Sequence, residues 1–226
     1  MDISDTATHR SRLLQLLALA FAHPVPELHG LMKRGEFQQA LSLAAAGSGI
    51  SITAPALLEE DFIAFEAAYI DLFEVGDRGR PRLHLHAADY PALLEGNSRP
   101  EFLLEHSQWY RHFGLKTAED SGVEMADHIL CQLELLAWLT HLEAQASDQT
   151  QRTAYRQAQA DFCERHLAPL TRAIAAAMHA APAFWQTVVK ASCAVVETSI
   201  AQAPGSSAPG ARSRSDENID AVNLWE

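Results

Sequence analysis

The stretch Met125-Ala-Asp-His-Ile-Leu-Cys-Gln-Leu-Glu-Leu-Leu-Ala-Trp138 decides the fold. At 3.6 residues per turn, Met125, Ile129, Leu133 and Leu136 line one helix face, and Cys131, Leu135 and Trp138 line another. A helix that is apolar on more than one face belongs at the centre of a bundle. The spacing predicts this central helix over 122–146.

The same period continues on both sides. Leu13, Leu14, Leu17, Ala20 and Phe21 form a stripe that stops at His23-Pro24, with Asp5 or Thr6 as the expected N-cap. A short pair of helices is expected from Pro26 to Ala46, with a break at Gly47-Ser48-Gly49. Pro55 suits the first position of the next helix, whose apolar face reads Phe62, Phe65, Tyr69, Leu72 and Phe73. Further helices are expected over 99–114, over 148–181 with a bend or split near Pro169, and over 182–203. No strand-like alternation persists and no internal repeat is present. The fold class is therefore all-α: a single-domain helical bundle over 1–203, followed by a flexible Pro/Gly/Ser-rich tail over 204–226. The tail ends in Leu224 and Trp225, which reads either as a docking end or as a fringe without a role.

Residues 74–98 break the helical period with Gly76, Gly79, Pro81, Pro91 and Gly96. Long loops inside a compact domain are functional or disordered. This one carries His84, His86, Tyr90 and arginines, a composition that predicts an ordered, functional connection.

Charge narrows the partners. At a net charge of −12, nucleic acid and anionic membrane surfaces are disfavoured. Residues 59–77 and 117–151 each contain seven acids and no Lys or Arg. Such runs serve solubility, or form a surface that attracts a cationic peptide. No apolar run approaches the roughly 20 residues of a membrane span. The N-terminus, Met1-Asp-Ile-Ser-Asp-Thr, lacks the basic and apolar regions of an export signal, so a cytoplasmic location is expected. Cys131, Cys163 and Cys193 are far apart and odd in number, which predicts reduced core thiols.

Catalytic motifs are missing: no nucleophile elbow, phosphate loop, dinucleotide fingerprint or His-Glu-x-x-His occurs. Glu124 and His128 would share a face at i, i+4 on a helix. A di-iron bundle, however, needs Glu-x-x-His on two helices, and no second pair exists. No metal or other cofactor is expected, and the chain reads as a non-enzyme. A helical metal-binding or oxygen-handling bundle is the competing class. Asp127-His128, taken as the start of the central helix, either staples the long loop or lines a groove where the carboxylate pairs with an arginine.

Four segments together resemble a family. They are Tyr69-x-x-Leu72-Phe73-Glu-Val-Gly76-x-x-Gly79-x-Pro81; Trp109-Tyr110-Arg-His-Phe113-Gly114-Leu115; Glu124-Met-Ala-Asp127-His128-Ile129-x-x-Gln132-Leu133-Glu134-Leu135; and Phe162-x-x-x-His166-Leu167. In this order the set is similar to the TorD/DmsD/NarJ group of molybdoenzyme maturation chaperones. The wording is most like the branch serving dimethyl sulfide, ethylbenzene, chlorate or selenate enzymes, with the nitrate reductase branch as the near alternative. Ala126 and Gln132 stand where that group often has proline and glutamate.

The resemblance implies a TorD-like helical fold and a cytoplasmic, non-enzymatic chaperone. It would bind the twin-arginine signal peptide or N-terminal segment of a catalytic subunit and assist molybdenum-cofactor insertion before export. The partners implied are that apo-subunit and molybdenum-cofactor biosynthesis proteins, with no stable membrane association; monomer and homodimer both stay open. The candidate client-binding residues are Tyr69, Phe73, Glu74, Pro81, His84, Tyr90, Tyr110, Glu124, Asp127 and His128.

Overall fold

The computed structural model describes residues 3–76, 79–115 and 125–205, with side chains from residue 5 onward. Glu124, and all but the first two residues of the tail expected over 204–226, lie outside the described residues. Helices dominate, and among the described residues the only β pairing is one isolated bridge.

Helix α1 (Ile3–Ala20) starts before the expected cap, so Asp5 sits in its first turn, where a negative charge complements the helix dipole. Helices α2 (Pro26–Lys33) and α3 (Glu36–Ser48) form the short pair. α3 runs on through Gly47 and stops at Gly49 (φ 72°), not at the whole Gly-Ser-Gly run. The reason is packing: a Cβ on Gly47 would collide with the His9 ring, so glycine here lets α3 approach α1. Pro55 does not start a helix. It is buried in a non-helical segment, and α4 (Phe62–Tyr69) begins instead after Asp61, whose carboxylate accepts from the Ala64 amide at 2.9 Å.

α4 continues into a π turn, Ile70–Glu74, before the chain enters the long loop. α5 (Arg99–His112) is set by a Ser98/Glu101 capping box. α6 (Ile129–Gln145) is shorter than expected, because His128 is its N-cap. α7 (Gln149–Phe162) is capped by Asp148 and passes through a second π turn, Cys163–Leu167. α8 (Ala168–Ala177) follows, with Pro169 in its first turn, where no amide hydrogen is needed. The split expected near Pro169 is thus real, and the π turn makes it. α9 (Ala183–Ala201) follows Pro182.

α6 is central, lying along α1 and α7, while α1 also packs on α3 and α9. Ile129, Leu133, Leu135, Leu136 and Leu139 are all fully buried. Met125, which precedes the helix, and Trp138 are the exposed exceptions. Phe65 stacks on Trp185 at 4.8 Å, and Tyr69 and Phe73 also meet that indole, which seats α4 against α9.

The core also holds charge. Arg10 of α1 is buried against Glu143 of α6 and Gln202 at the end of α9. Arg156 Nε donates to Glu143 Oε1 at 2.6 Å, and Gln159 Nε2 donates to Oε2 at 3.0 Å. The 117–151 acid run is therefore not an acidic surface throughout: Asp127 and Glu143 are both buried. Cys131 and Cys163 are buried thiols and Cys193 is partly covered. Among the described residues, no helix is long and apolar enough to cross a membrane.

Candidate functional site

The long loop is ordered because its backbone is tied down at several points. Leu83 donates to the Leu72 carbonyl at 2.9 Å, Ala87 to Asp127 at 3.1 Å, and the Ile129 amide to Leu85 at 2.9 Å. The last two bonds frame the isolated antiparallel bridge between His86 and His128. Along this extended run Leu83, Leu85 and Ala87 point inward and are buried, while His84 and His86 stay partly open. Gly76 allows the turn into the loop, since a Cβ there would lie 2.5 Å from the Arg80 carbonyl oxygen.

Asp127 is the staple of this arrangement. It is fully buried and precedes α6, which corrects the expectation that it opens the helix. Its Oδ2 accepts from the Ala88 amide at 2.9 Å, and Oδ1 meets His86 Nδ1 at 3.1 Å. Its carbonyl accepts from Gln132 Nε2 at 2.8 Å. Burial alone would raise the carboxyl pKa. The hydrogen bonds from His86 and Ala88 outweigh it and hold Asp127 below its ordinary value. His128 Nδ1 accepts from the Leu130 amide at 3.2 Å, a role only a neutral ring can play. Burial, reinforced by nearby His86, pushes its pKa down to about 3. His128 is the N-cap of α6, and the expected pairing with Glu124 lies outside the described residues.

The other candidates divide by exposure. Tyr69 and Tyr110 are buried, with hydroxyls donating to the carbonyls of Phe21 at 2.9 Å and Ala126 at 3.1 Å. Phe73 is buried with them in the aromatic core. Glu74, Pro81, His84 and Tyr90 reach the surface. Tyr90 donates to the His84 carbonyl at 2.8 Å, and its ring meets His84 edge-on. Glu74 bonds His23 at 2.7 Å, and the His23 ring packs edge-on against Tyr69. The Glu74 bond, partly opposed by burial, raises the His23 pKa.

The buried candidates therefore shape the site, and the exposed ones, with His86 and Arg82, form its outer face. The structure adds His23 and His86 to the candidates: the His84-x-His86 alternation points to the second as a ligand type, and no local pattern points to His23. Beyond the loop, a cleft of about 520 Å³ opens between the end of α5 and α7, lined by Trp109, Phe113, Ala154, Tyr155 and Ala158 among others. Among the described residues no group of three His, Cys, Asp or Glu side chains converges to hold a metal ion.

The segments that build this loop and its staple are also those matched in known proteins. A family model described as nitrate reductase delta subunit matches residues 34–176. A dimethyl sulfide dehydrogenase assembly chaperone protein from Rhodovulum sulfidophilum is 34% identical, across 98% of this chain and 95% of its own.

The chain belongs to the nitrate reductase delta subunit family, the TorD/NarJ group.

Two further relatives of this family member are a perchlorate reductase assembly chaperone protein from Dechloromonas aromatica (strain RCB) and a selenate reductase assembly chaperone protein from Thauera selenatis. The first is 34% identical over 75% of this chain and 79% of its own; the second is 35% identical over 50% and 55%. No solved structure matches this delta-subunit-family chain at a significant level.

The staple makes a direct prediction. Asp127→Ala removes the carboxylate that the Ala88 amide and His86 Nδ1 meet, and should cost about 1.5–3 kcal/mol of stability. Urea unfolding monitored by helical circular dichroism checks it; an unchanged midpoint would mean the loop holds without the carboxylate.

Proposed function

We propose that this chain is a cytoplasmic, non-enzymatic assembly chaperone. It holds the signal peptide or N-terminal segment of a molybdoenzyme catalytic subunit while the molybdenum cofactor is inserted, before export. The observation that carries the reading is the loop built by the family segments. It is long yet stapled, and its outer face presents Glu74, His84 and Tyr90. The relatives named for dimethyl sulfide dehydrogenase and for perchlorate and selenate reductases support a client of that enzyme class.

Physical chemistry suits the client. Exposed acids at Glu59, Glu60 and Glu74, with partly covered Asp71, flank α4 at its two ends and favour approach of a cationic segment. The aromatic-walled cleft between α5 and α7 offers apolar area to an apolar stretch, at about 25 cal/mol per Å² buried. Asp127 and His128 serve the client from below, by fixing the loop.

The test is calorimetric titration of the chain with leader peptides of a dimethyl sulfide dehydrogenase-type and a nitrate reductase-type catalytic subunit. Tighter binding of the second would favour the other reading, which rests on the description of the family model. Tyr90→Ala should weaken leader binding by about 1–2 kcal/mol, because half-buried aromatic side chains anchor interfaces. Binding of neither leader, or no effect of Tyr90→Ala, would count against the loop as the client site.

A further inference from the structure

Under the far end of the loop lies a second, polar cleft of about 380 Å³, lined by Leu93, Glu95, Asn97, Phe102, Glu105, Glu164, Arg165, His166 and Pro169. His166, on the π turn, is 5% exposed, and neither ring nitrogen has a hydrogen-bond partner. Its Nε2 stands 3.5 Å from Glu105 Oε1. Behind it, at 4.3 Å between ring centroids, is His106, which is fully buried. His106 Nδ1 donates to the Phe102 carbonyl at 3.0 Å, so its Nε2 carries a lone pair, and that atom too is unpartnered. Burial pushes His166 down to about 3 and lowers His106 as well, so both rings are neutral near pH 7. Unpartnered buried nitrogens are destabilising, and this spot collects three.

The wall above them is acidic. Glu95, Glu105 and Glu164 face one base, Arg165. Arg165 Nη2 already sits on Glu105 Oε1 at 2.5 Å, from a side chain that is 58% exposed. That carboxylate thus accommodates a guanidinium, and the one now on it is only loosely held. Glu95 holds a positive φ of 50°, the sole non-glycine case among the described residues, and it lies on the rim. Leu93, Phe102 and Pro169 supply apolar walls on which a planar, weakly hydrated cation can lie.

We propose that this cleft binds the guanidinium of an arginine side chain carried by the client segment, with Glu105 as its carboxylate partner and His166 and Asn97 as neutral acceptors. The incoming group displaces Arg165 into solvent. The proposal rests on the client-binding reading above and adds to it the side chain recognised and the place that recognises it.

The test uses the full chain and two probes. In the first, acetyl-Arg-Arg-amide is titrated while the His106 and His166 imidazole signals are followed by NMR, beside the lysine and citrulline analogues. Saturable shifts with arginine, weaker shifts with lysine and none with citrulline are expected. Glu105→Gln should weaken binding about tenfold, and Arg165→Ala should strengthen it. Both side chains are at least 30% exposed, so neither change should move the melting temperature. In the second, the leader peptides are compared with versions in which citrulline replaces arginine.

No imidazole shift with the arginine probe overturns the proposal, as does an equal response to citrulline, or a response to inorganic phosphate instead. If the leader binds wild type and Glu105→Gln equally, the cleft is excluded while the chaperone reading stands. If no leader binds at all, the chaperone reading fails, and the dipeptide still decides whether the cleft takes arginine.

Discussion

Below its neutral range this protein should lose stability at about 3 kcal/mol per pH unit, two protons' worth of linkage. His128 and His166 cause it. Each folded pKa is depressed to about 3, first by burial and then by a neighbouring imidazole, His86 for His128 and His106 for His166. In the unfolded chain both rings take up protons near pH 6.5. Their stabilisation is therefore whole above that value and declines as pH falls, until the folded rings protonate near 3.

By about pH 5 the two together should have removed about 4 kcal/mol, against a typical total of about 5–15 kcal/mol. The buried His106, also lowered, adds in the same direction. Asp127, held below its ordinary value, contributes in the carboxylate range: its stabilisation is present above the unfolded carboxylate pKa and lost as pH falls through the folded one. His23 opposes, since Glu74 raises it, but its side chain is 47% exposed and its effect is screened. Urea midpoints measured from about pH 7 down to about pH 5 check the slope, and His166→Gln should roughly halve it. A flat profile over that interval would show that the rings are protonated in the fold.

Glu143→Ala should cost about 3–5 kcal/mol, because it strands Arg10 and Arg156 rather than merely removing a contact. The carboxylate is 1% exposed at its side chain and accepts from Arg10, Arg156 and Gln159. Arg10 itself is 2% exposed, and burial, only partly offset by Glu143, lowers its pKa. The double change Arg10→Met/Glu143→Leu should recover most of the loss, since apolar replacements of similar volume relieve the desolvation of the pair. Thermal and urea melts of the single and double variants form the cycle. If the single change costs under about 1 kcal/mol, water reaches the cluster and the pair is not a core element.

Local grammar made much of this fold legible. The two-sided apolar pattern of Ile129 to Leu139 identified the central helix, and Gly76, Pro81 and Pro91 marked the loop. Three features stayed hidden for physical reasons. Pro55 fits a first helical turn, but Asp61 offers a stronger cap, so the helix starts where an orphan amide is satisfied. Asp127-His128 continues the helical period on paper. Instead the Asp127 carbonyl accepts from Ala87 and the Ile129 amide donates to Leu85, tertiary contacts across some 40 residues that periodicity does not encode. The π turns leave the apolar composition untouched and change only which face it meets. The candidate site divides in the same way. Aromatic and histidine residues in an irregular segment flagged the loop, but which of them are structural depended on burial.

The Arg10 cluster also has a consequence for biosynthesis. Its first member lies ten residues from the start of the chain and its last contact, Gln202, lies 192 positions later. At about 5–20 residues per second, roughly 10–40 s pass between making the arginine and making the glutamine. The arginine's counterion, Glu143, is made 133 positions after Arg10, so α1 carries this cation unpaired through the first part of that interval. The cluster is complete only once the residue that follows α9 has been made.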